Sequence, residues 1–211
     1  STLSSSSAAS DVYKRQGIPF VVYEKNAEVG GTWLENSYPG CRVDVPSHFY
    51  CYSFAPNHDW SANFSPRSEL LDYFKSVVDK YDLRQHIQFQ SDIKSVQYIK
   101  NGCWNLTTVE GKKETFRSVI SAVGQLNRPK LPDIKGLTDF GGRLLHSAAW
   151  DEHVNLSGKK IVVIGSGASA FQLVPEIVDK AQHTSVLQRS APWLFPTPDY
   201  HDEVDIGHQW L

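Results

Sequence analysis

Residues 159–189 read KKIVVIGSGASAFQLVPEIVDKAQHTSVLQR, and how this stretch is read decides the fold. The apolar run IVVI enters a glycine turn, which opens onto a segment of helical spacing from Phe171 to Ala181, and TSVLQR then reads as a second strand. Strand, glycine turn, helix and strand make a βαβ unit, whose two strands must lie parallel because the helix carries the chain back. Pro175 is expected to remove one helical hydrogen bond and bend the axis.

The turn itself is Gly165-Ser166-Gly167-Ala168-Ser169-Ala170, a GxGxxA. Short glycine patterns arise by chance, but this one follows a Val/Ile strand and opens a helix, as a dinucleotide fingerprint requires. Gly165 permits the turn, Gly167 lets backbone approach a pyrophosphate, and Ala170 lets helix and strand pack closely. The diphosphate would sit on the helix N-terminus, where N–H groups and the macrodipole favour anions. An NAD site ends its next strand in Asp or Glu, whereas this one ends Gln188-Arg189-Ser190. Arg189 can pair with a 2′-phosphate and Ser190 can donate to it, which favours NADPH; a solvated surface arginine is the plainer alternative.

Upstream, residues 140–151 read FGGRLLHSAAWD, preceded by a connector at 126–137, LNRPKLPDIKGL, whose Pro and Gly content marks a domain boundary. Farther upstream the strand signals are HIQFQ, SVQYIK, CWNLTTVE and ETFRSVISAVG, with Asn101-Gly102 as a primed two-residue hairpin turn. Ser65-Pro66 reads as a helix start, and Leu70, Leu71, Phe74, Val77, Val78 and Tyr81 follow with helical spacing. Residues 28–64 have no clear period, and a loop of that length is more often functional than idle.

Near the N-terminus GIPFVVYEK carries a short strand, Phe20 to Tyr23, closing on Glu24. An acidic residue there should follow a phosphate loop by about 20 residues, yet positions 1–16, STLSSSSAASDVYKRQ, contain no glycine and show no helical or strand period. Together with the absence of Met, this makes residues 1–16 look unrelated to the rest, a disordered or artefactual segment from a vector, adapter or assembly error.

The 211 residues, 40% hydrophobic, suffice for real cores, and a net charge of −2 with scattered Lys and Arg disfavours nucleic acid as a partner. No apolar run approaches the roughly 18–20 residues of a membrane span, and a cytoplasmic protein is expected. Cys41, Cys51 and Cys103 show no CxxC spacing, so neither a disulfide framework nor a metal site is indicated.

Three motifs together carry a family resemblance. These are GGTW at 30–33 with YPGCRVDVPSHFYCYSF at 38–54, the GxGxxA turn, and F-x-G-x-x-x-H-x-x-x-W-D at Phe140, Gly142, His146, Trp150 and Asp151. From Gly17 to Leu211 the chain resembles the class B flavoprotein monooxygenases, and within them the Baeyer-Villiger monooxygenases. Chance agreement at the five fingerprint positions is on the order of 10⁻⁷ per start site. The aromatic loop and TPDYHDEV at 197–204 look most like the 4-hydroxyacetophenone monooxygenase group.

The resemblance implies an α/β fold of two Rossmann-like dinucleotide-binding domains. The first, 17–126, would lack its N-terminal strand and phosphate loop, carry a β-meander insertion and bind FAD. Residues 127–158 would be the connector with the fingerprint, and 159–211 part of an NADPH-binding domain. Glu24 would bind the adenosine ribose of FAD, Gly30, Gly31, Thr32, Trp33, Leu34 and Glu35 would line the flavin site, and Ile93 would give adenine a backbone contact. Asp44 and Tyr50 would lie at the isoalloxazine, and Arg42, Val43 and Asp44 would approach the nicotinamide side. Gly165 through Ala170, Gln172, Arg189 and Ser190 would hold NADPH.

The activity implied is insertion of one oxygen atom of O2 into a small-molecule ketone, giving an ester or lactone through a C4a-peroxyflavin. Asp44 would be the catalytic carboxylate, the charge partner of an arginine beyond Leu211. His146 and Trp150 would organise the segment between domains, and the chain alone would be inactive. An S- or N-oxygenating monooxygenase, or a fragment that only binds NADPH, is the alternative; a flavin disulfide reductase would need a redox cysteine pair, which Cys41 and Cys51 do not form.

Overall fold

The computed structural model describes residues 10, 12–126 and 128–207. Most of the serine-rich start therefore lies outside the described residues. Of the rest of it, residues 12–15 are helical, contrary to the expectation that 1–16 has no periodic structure. Lys14 explains why that turn is held: its Nζ donates to Tyr81 O at 2.6 Å and meets the Asp82 carboxylate at 3.3 Å.

The chain divides into two compact units, Ser1–Leu34 with Leu71–Asn127, and Glu35–Leu70 with Arg128–Leu211. Glu35–Leu70, which takes in most of the aperiodic stretch 28–64, thus clusters with the C-terminal part.

In the first unit β1 (Val22–Tyr23) pairs in parallel with β2 (Ile87–Gln88), and Glu24 N–H extends the ladder to Gln88 O at 3.0 Å. A short helix, α1 (Thr32–Glu35), follows the Gly30-Gly31 turn. The long helix α2 (Arg67–Lys80) begins one residue after the expected Pro66; from Leu71 on it belongs to this unit, where Leu71, Phe74, Val77 and Val78 form one buried stripe. Val78 packs with Val29 and Leu83, and Phe20, Tyr81, Ile87 and Phe89 cover that nucleus. Burying such a side chain contributes about 1.5–3 kcal/mol.

α2 stops in a Schellman closure: Leu83 N–H donates to Val78 O at 2.9 Å and Asp82 N–H to Asp79 O at 3.0 Å. Asp82 takes the left-handed position usually given to glycine, φ 51°. Arg84 then ties the end down through Asp79 at 2.9 Å and Glu28 at 3.1 Å, and these bonds, the one to Asp79 first, lift its guanidinium pKa further.

A three-stranded antiparallel meander completes this unit, β3 (Ile93–Ile99), β4 (Cys103–Thr108) and β5 (Lys113–Phe116), in that order. Asn101 and Gly102 both have φ 73°, the primed turn expected from the dipeptide. The expected strand 114–124 ends at Phe116. The register pairs Phe116 with Trp104, and β4 begins at Cys103, so the antiparallel partner runs out. Tyr23 donates to the Glu114 carboxylate and meets the Phe116 ring edge-on at 6.2 Å, joining meander to β1.

The second unit holds the βαβ element. β6 (Lys160–Ile164) and β7 (His183–Leu187) pair in parallel over five residues, and α3 (Ala168–Val178) connects them. Leu173 and Ile177, four apart and buried, form its inner face. Pro175 lies inside α3 without ending it.

Candidate functional site

The glycine turn has the geometry its sequence implies. Gly165 adopts φ 115°, a conformation side chains rarely take, while its N–H still reaches Leu187 O at 2.8 Å. Gly167 caps α3 with φ −80° and ψ −178°, and a β-carbon built there would meet nothing within 4 Å. Ala170 N–H at 2.9 Å and Phe171 N–H at 3.2 Å both turn back to Gly167 O, which leaves the peptide groups of Ala168 and Ser169 at the helix mouth. The Ser166 hydroxyl donates to Ser190 O at 3.3 Å, which fixes the end of β7 beside the turn; Arg189, just before it, is exposed. An open backbone at a helix N-terminus with an adjacent arginine fits the diphosphate and 2′-phosphate of NADPH.

Gln172, which the resemblance groups with that turn, has its side-chain amide on protein groups. Its Oε1 accepts from the Tyr38 hydroxyl at 2.8 Å and from Arg42 N–H at 3.5 Å; its Nε2 donates to Arg42 O at 2.9 Å and to the Tyr200 hydroxyl at 2.8 Å. Tyr200 passes the chain on to Val43 O at 3.3 Å. The Arg42 guanidinium lies over the Tyr200 ring at 5.4 Å and donates to Tyr200 O and His201 Nδ1, each at 3.0 Å. Gly40, φ 78°, rides so closely on α3 that a β-carbon would run into Gln172 O and Glu176 Cγ. Burial pushes the Tyr38, Cys41 and Tyr200 pKa values up, so all three stay neutral here.

The same loop is tied to residues 65–67, which belong to the same unit. Val43 N–H donates to Ser65 O at 3.1 Å and Arg67 N–H to Cys41 O at 2.8 Å. Ser47, fully buried, meets Ala62 O at 2.9 Å and Ser65 Oγ at 2.8 Å and accepts from Ser65 N–H at 2.8 Å. Val43 is wholly buried, Asp44 next to it is exposed, and Tyr50 is half-buried at the end of the turn that Ser47 opens.

The fingerprint segment folds on itself. A β-carbon at Gly142 would meet the tip of the Phe140 ring, so the glycine makes room for the phenyl. Asp151 pairs with Arg143 and accepts from His153 N–H at 2.9 Å. His146 Nδ1 accepts from Ala148 N–H at 3.0 Å. Trp150 is half-buried.

In the first unit Glu24 lies against the chain that leads into β3. Ser91 N–H donates to Glu24 O at 2.8 Å, so Ile93 is two residues from that contact, and Glu24 Oε1 accepts from Asn26 N–H at 2.8 Å. Gly30, φ 133°, has no room for a β-carbon against Leu71, and Gly31 has φ 49°. Thr32 is exposed, Leu34 half-buried and Trp33 buried; Glu35 falls in the second unit.

Among the described residues no group of three or more His, Cys, Asp or Glu is placed to hold a metal ion, and no helix is long and apolar enough to cross a membrane.

The family described as flavin-binding monooxygenase-like matches residues 12–200, so the match begins inside the stretch expected to stand apart. A Baeyer-Villiger monooxygenase of Streptomyces coelicolor is 44% identical over 188 residues, 88% of this chain and 36% of that protein. Cyclohexanone monooxygenase from Rhodococcus sp. Phi1 bound to NADP+ superposes with a TM-score of 0.85 at 32% identity, covering 94% of this chain and 38% of that one. OTEMO in complex with FAD and NADP gives 0.82 at 34% identity, covering 87% and 37%. The chain spans 36% of the Streptomyces relative's length, about a third.

Proposed function

Because the chain belongs to the flavin-binding monooxygenase-like family, we propose that it is part of an FAD- and NADPH-dependent Baeyer-Villiger monooxygenase. Its reaction inserts one oxygen atom of O2 into a small-molecule ketone to give an ester or lactone. The observation that carries this reading is the turn at 165–170, an open Gly167 at the mouth of α3 with the Arg189-Ser190 corner held against it.

When bound, FAD supplies the oxygen chemistry and NADPH the hydride; the protein supplies orientation, water exclusion and electrostatics. The peptide groups of Ala168 and Ser169 would hold the diphosphate, and Arg189 with Ser190 the 2′-phosphate. Glu24 would hold the ribose of FAD, Ile93 its adenine, and the Gly30–Glu35 segment with Tyr50 would line the flavin. Asp44 would supply fixed negative charge beside the reacting groups, held in place by buried Val43. His146 and Trp150 would set the segment between the nucleotide domains rather than transfer protons. A cytoplasmic enzyme fits this cofactor use.

The test is made on the full-length protein: bound flavin absorbance, NADPH consumption with aryl and cyclic ketones, and product identification. Esters or lactones are expected. Sulfoxides or N-oxides alone would move the enzyme to the S- or N-oxygenating branch of the family. Oxidation of NADPH that yields only hydrogen peroxide across the panel would overturn the reading.

A further inference from the structure

We propose that Gln172 is a positioning residue, which couples the dinucleotide-binding helix to the loop bearing Asp44 without touching the dinucleotide; this rests on the NADPH reading above.

A primary amide has two N–H groups and two lone pairs on its oxygen. Gln172 spends all four on protein: Tyr38 hydroxyl and Arg42 N–H on Oε1, Arg42 O and Tyr200 hydroxyl on Nε2. With the Tyr200 relay to Val43 O, the N–H and C=O of residue 42 and the C=O of residue 43 are all anchored to one side chain and its partner. The peptide planes on either side of Val43 are thereby set, and they aim the next residue, Asp44.

Gln172 sits in the second turn of α3, one turn from the Ala168 and Ser169 peptides at the helix mouth. Gly40 packs onto Gln172 O with no space for a β-carbon, so loop and helix cannot slide independently. Packed elements with no slack transmit small shifts. A movement of α3 on anion binding therefore reaches Asp44 through one amide.

The experiment uses the full-length protein and its Gln172→Ala and Tyr200→Phe variants, with NADP+ as the probe. NADP+ affinity is measured by titration, hydrogen exchange is followed over residues 38–44 with and without NADP+, and flavin reduction by NADPH is timed in single turnover. In wild type NADP+ is expected to slow exchange across 38–44. Gln172→Ala is expected to lose that response and to reduce flavin about 10–100-fold more slowly, while its NADP+ affinity changes less than about threefold. Tyr200→Phe, which keeps the amide, is expected to lie between.

An NADP+ affinity at least tenfold weaker in Gln172→Ala, with loop exchange unchanged, would make Gln172 a ligand contact and overturn the inference. Equal loop responses in wild type and both variants would overturn it too. A wild type that binds no NADP+ removes the NADPH reading as well, so the two failures are told apart.

Discussion

Ser166 and Ser190 meet at the top of the second nucleotide unit, the Ser166 hydroxyl donating to the Ser190 carbonyl at 3.3 Å. That bond pins the corner carrying Arg189 against the glycine turn, where a 2′-phosphate on a bound dinucleotide would lie. A charge-assisted hydrogen bond to that phosphate contributes about 1.5–3 kcal/mol. Arg189→Ala is therefore expected to weaken NADPH about 10–100-fold and NADH hardly at all, read from the dissociation constants of both cofactors. Equal loss for the two would remove Arg189 from phosphate recognition.

The two glycines of the turn are expected to fail differently. Gly165 holds φ 115°, so alanine there is strained wherever its methyl points, at about 1–3 kcal/mol. Gly167 has an ordinary φ of −80° and open space around a β-carbon, so Gly167→Ala should leave stability within about 1 kcal/mol of wild type. Its methyl would instead occupy the approach of the diphosphate. Urea midpoints and NADP+ affinities should separate them: Gly165→Ala loses stability, Gly167→Ala loses at least about tenfold in affinity. A Gly167→Ala variant that binds NADP+ normally would argue that the diphosphate sits elsewhere.

Those glycines, the βαβ order, the Asn101-Gly102 hairpin and α2 were all legible because each rests on local signals: period, turn chemistry and caps. ETFRSVISAVG was misread beyond Phe116 because strand propensity says nothing about whether a partner is present to pair with. Val12 to Arg15 was missed because four residues carry no period, and Lys14 secures the turn through Asp82, 68 positions away. The Tyr38-Gln172-Tyr200 clasp was invisible for the same reason. Its partners lie 134 and 28 residues apart, and the aperiodic loop around Tyr38 gives no register from which to pair them. The tight seat of Gly40 on α3 appears only in three dimensions.

Gly40 and Gly142 both fall in quoted motifs, yet their substitution is expected to cost very different amounts. Gly142 is a specified fingerprint position, yet its β-carbon would meet only the end of the exposed Phe140 ring, which can swing aside. Gly142→Ala should cost under about 1 kcal/mol. Gly40→Ala meets backbone, the Gln172 carbonyl, at φ 78°. Left-handed strain and overpacking add up there, to about 3 kcal/mol. Chemical denaturation of the two variants tests the order, and a Gly40→Ala protein as stable as wild type would show that loop and helix are not in direct contact.

The groups around Gln172 also set how the fold responds to alkali. Burial raises the Tyr38 and Tyr200 phenols above their ordinary 10.0 and the Cys41 thiol above 9.0. In the folded chain each therefore keeps its proton at a pH where the unfolded chain has begun to release it. Their contribution is fully present below the unfolded values and is lost as pH rises through the folded ones. Stability should hold from neutrality to about pH 8.5 and fall progressively above about pH 9. Tyr38→Phe removes the bond to Gln172 Oε1 at 2.8 Å and should lower stability at neutral pH by about 1 kcal/mol. It also removes one of the titrating groups, so its decline between about pH 9 and pH 11 should be shallower than that of wild type. Urea midpoints across that range measure both effects, and an alkaline slope unchanged by Tyr38→Phe would mean that the phenol ionises as readily in the folded chain as in the unfolded one.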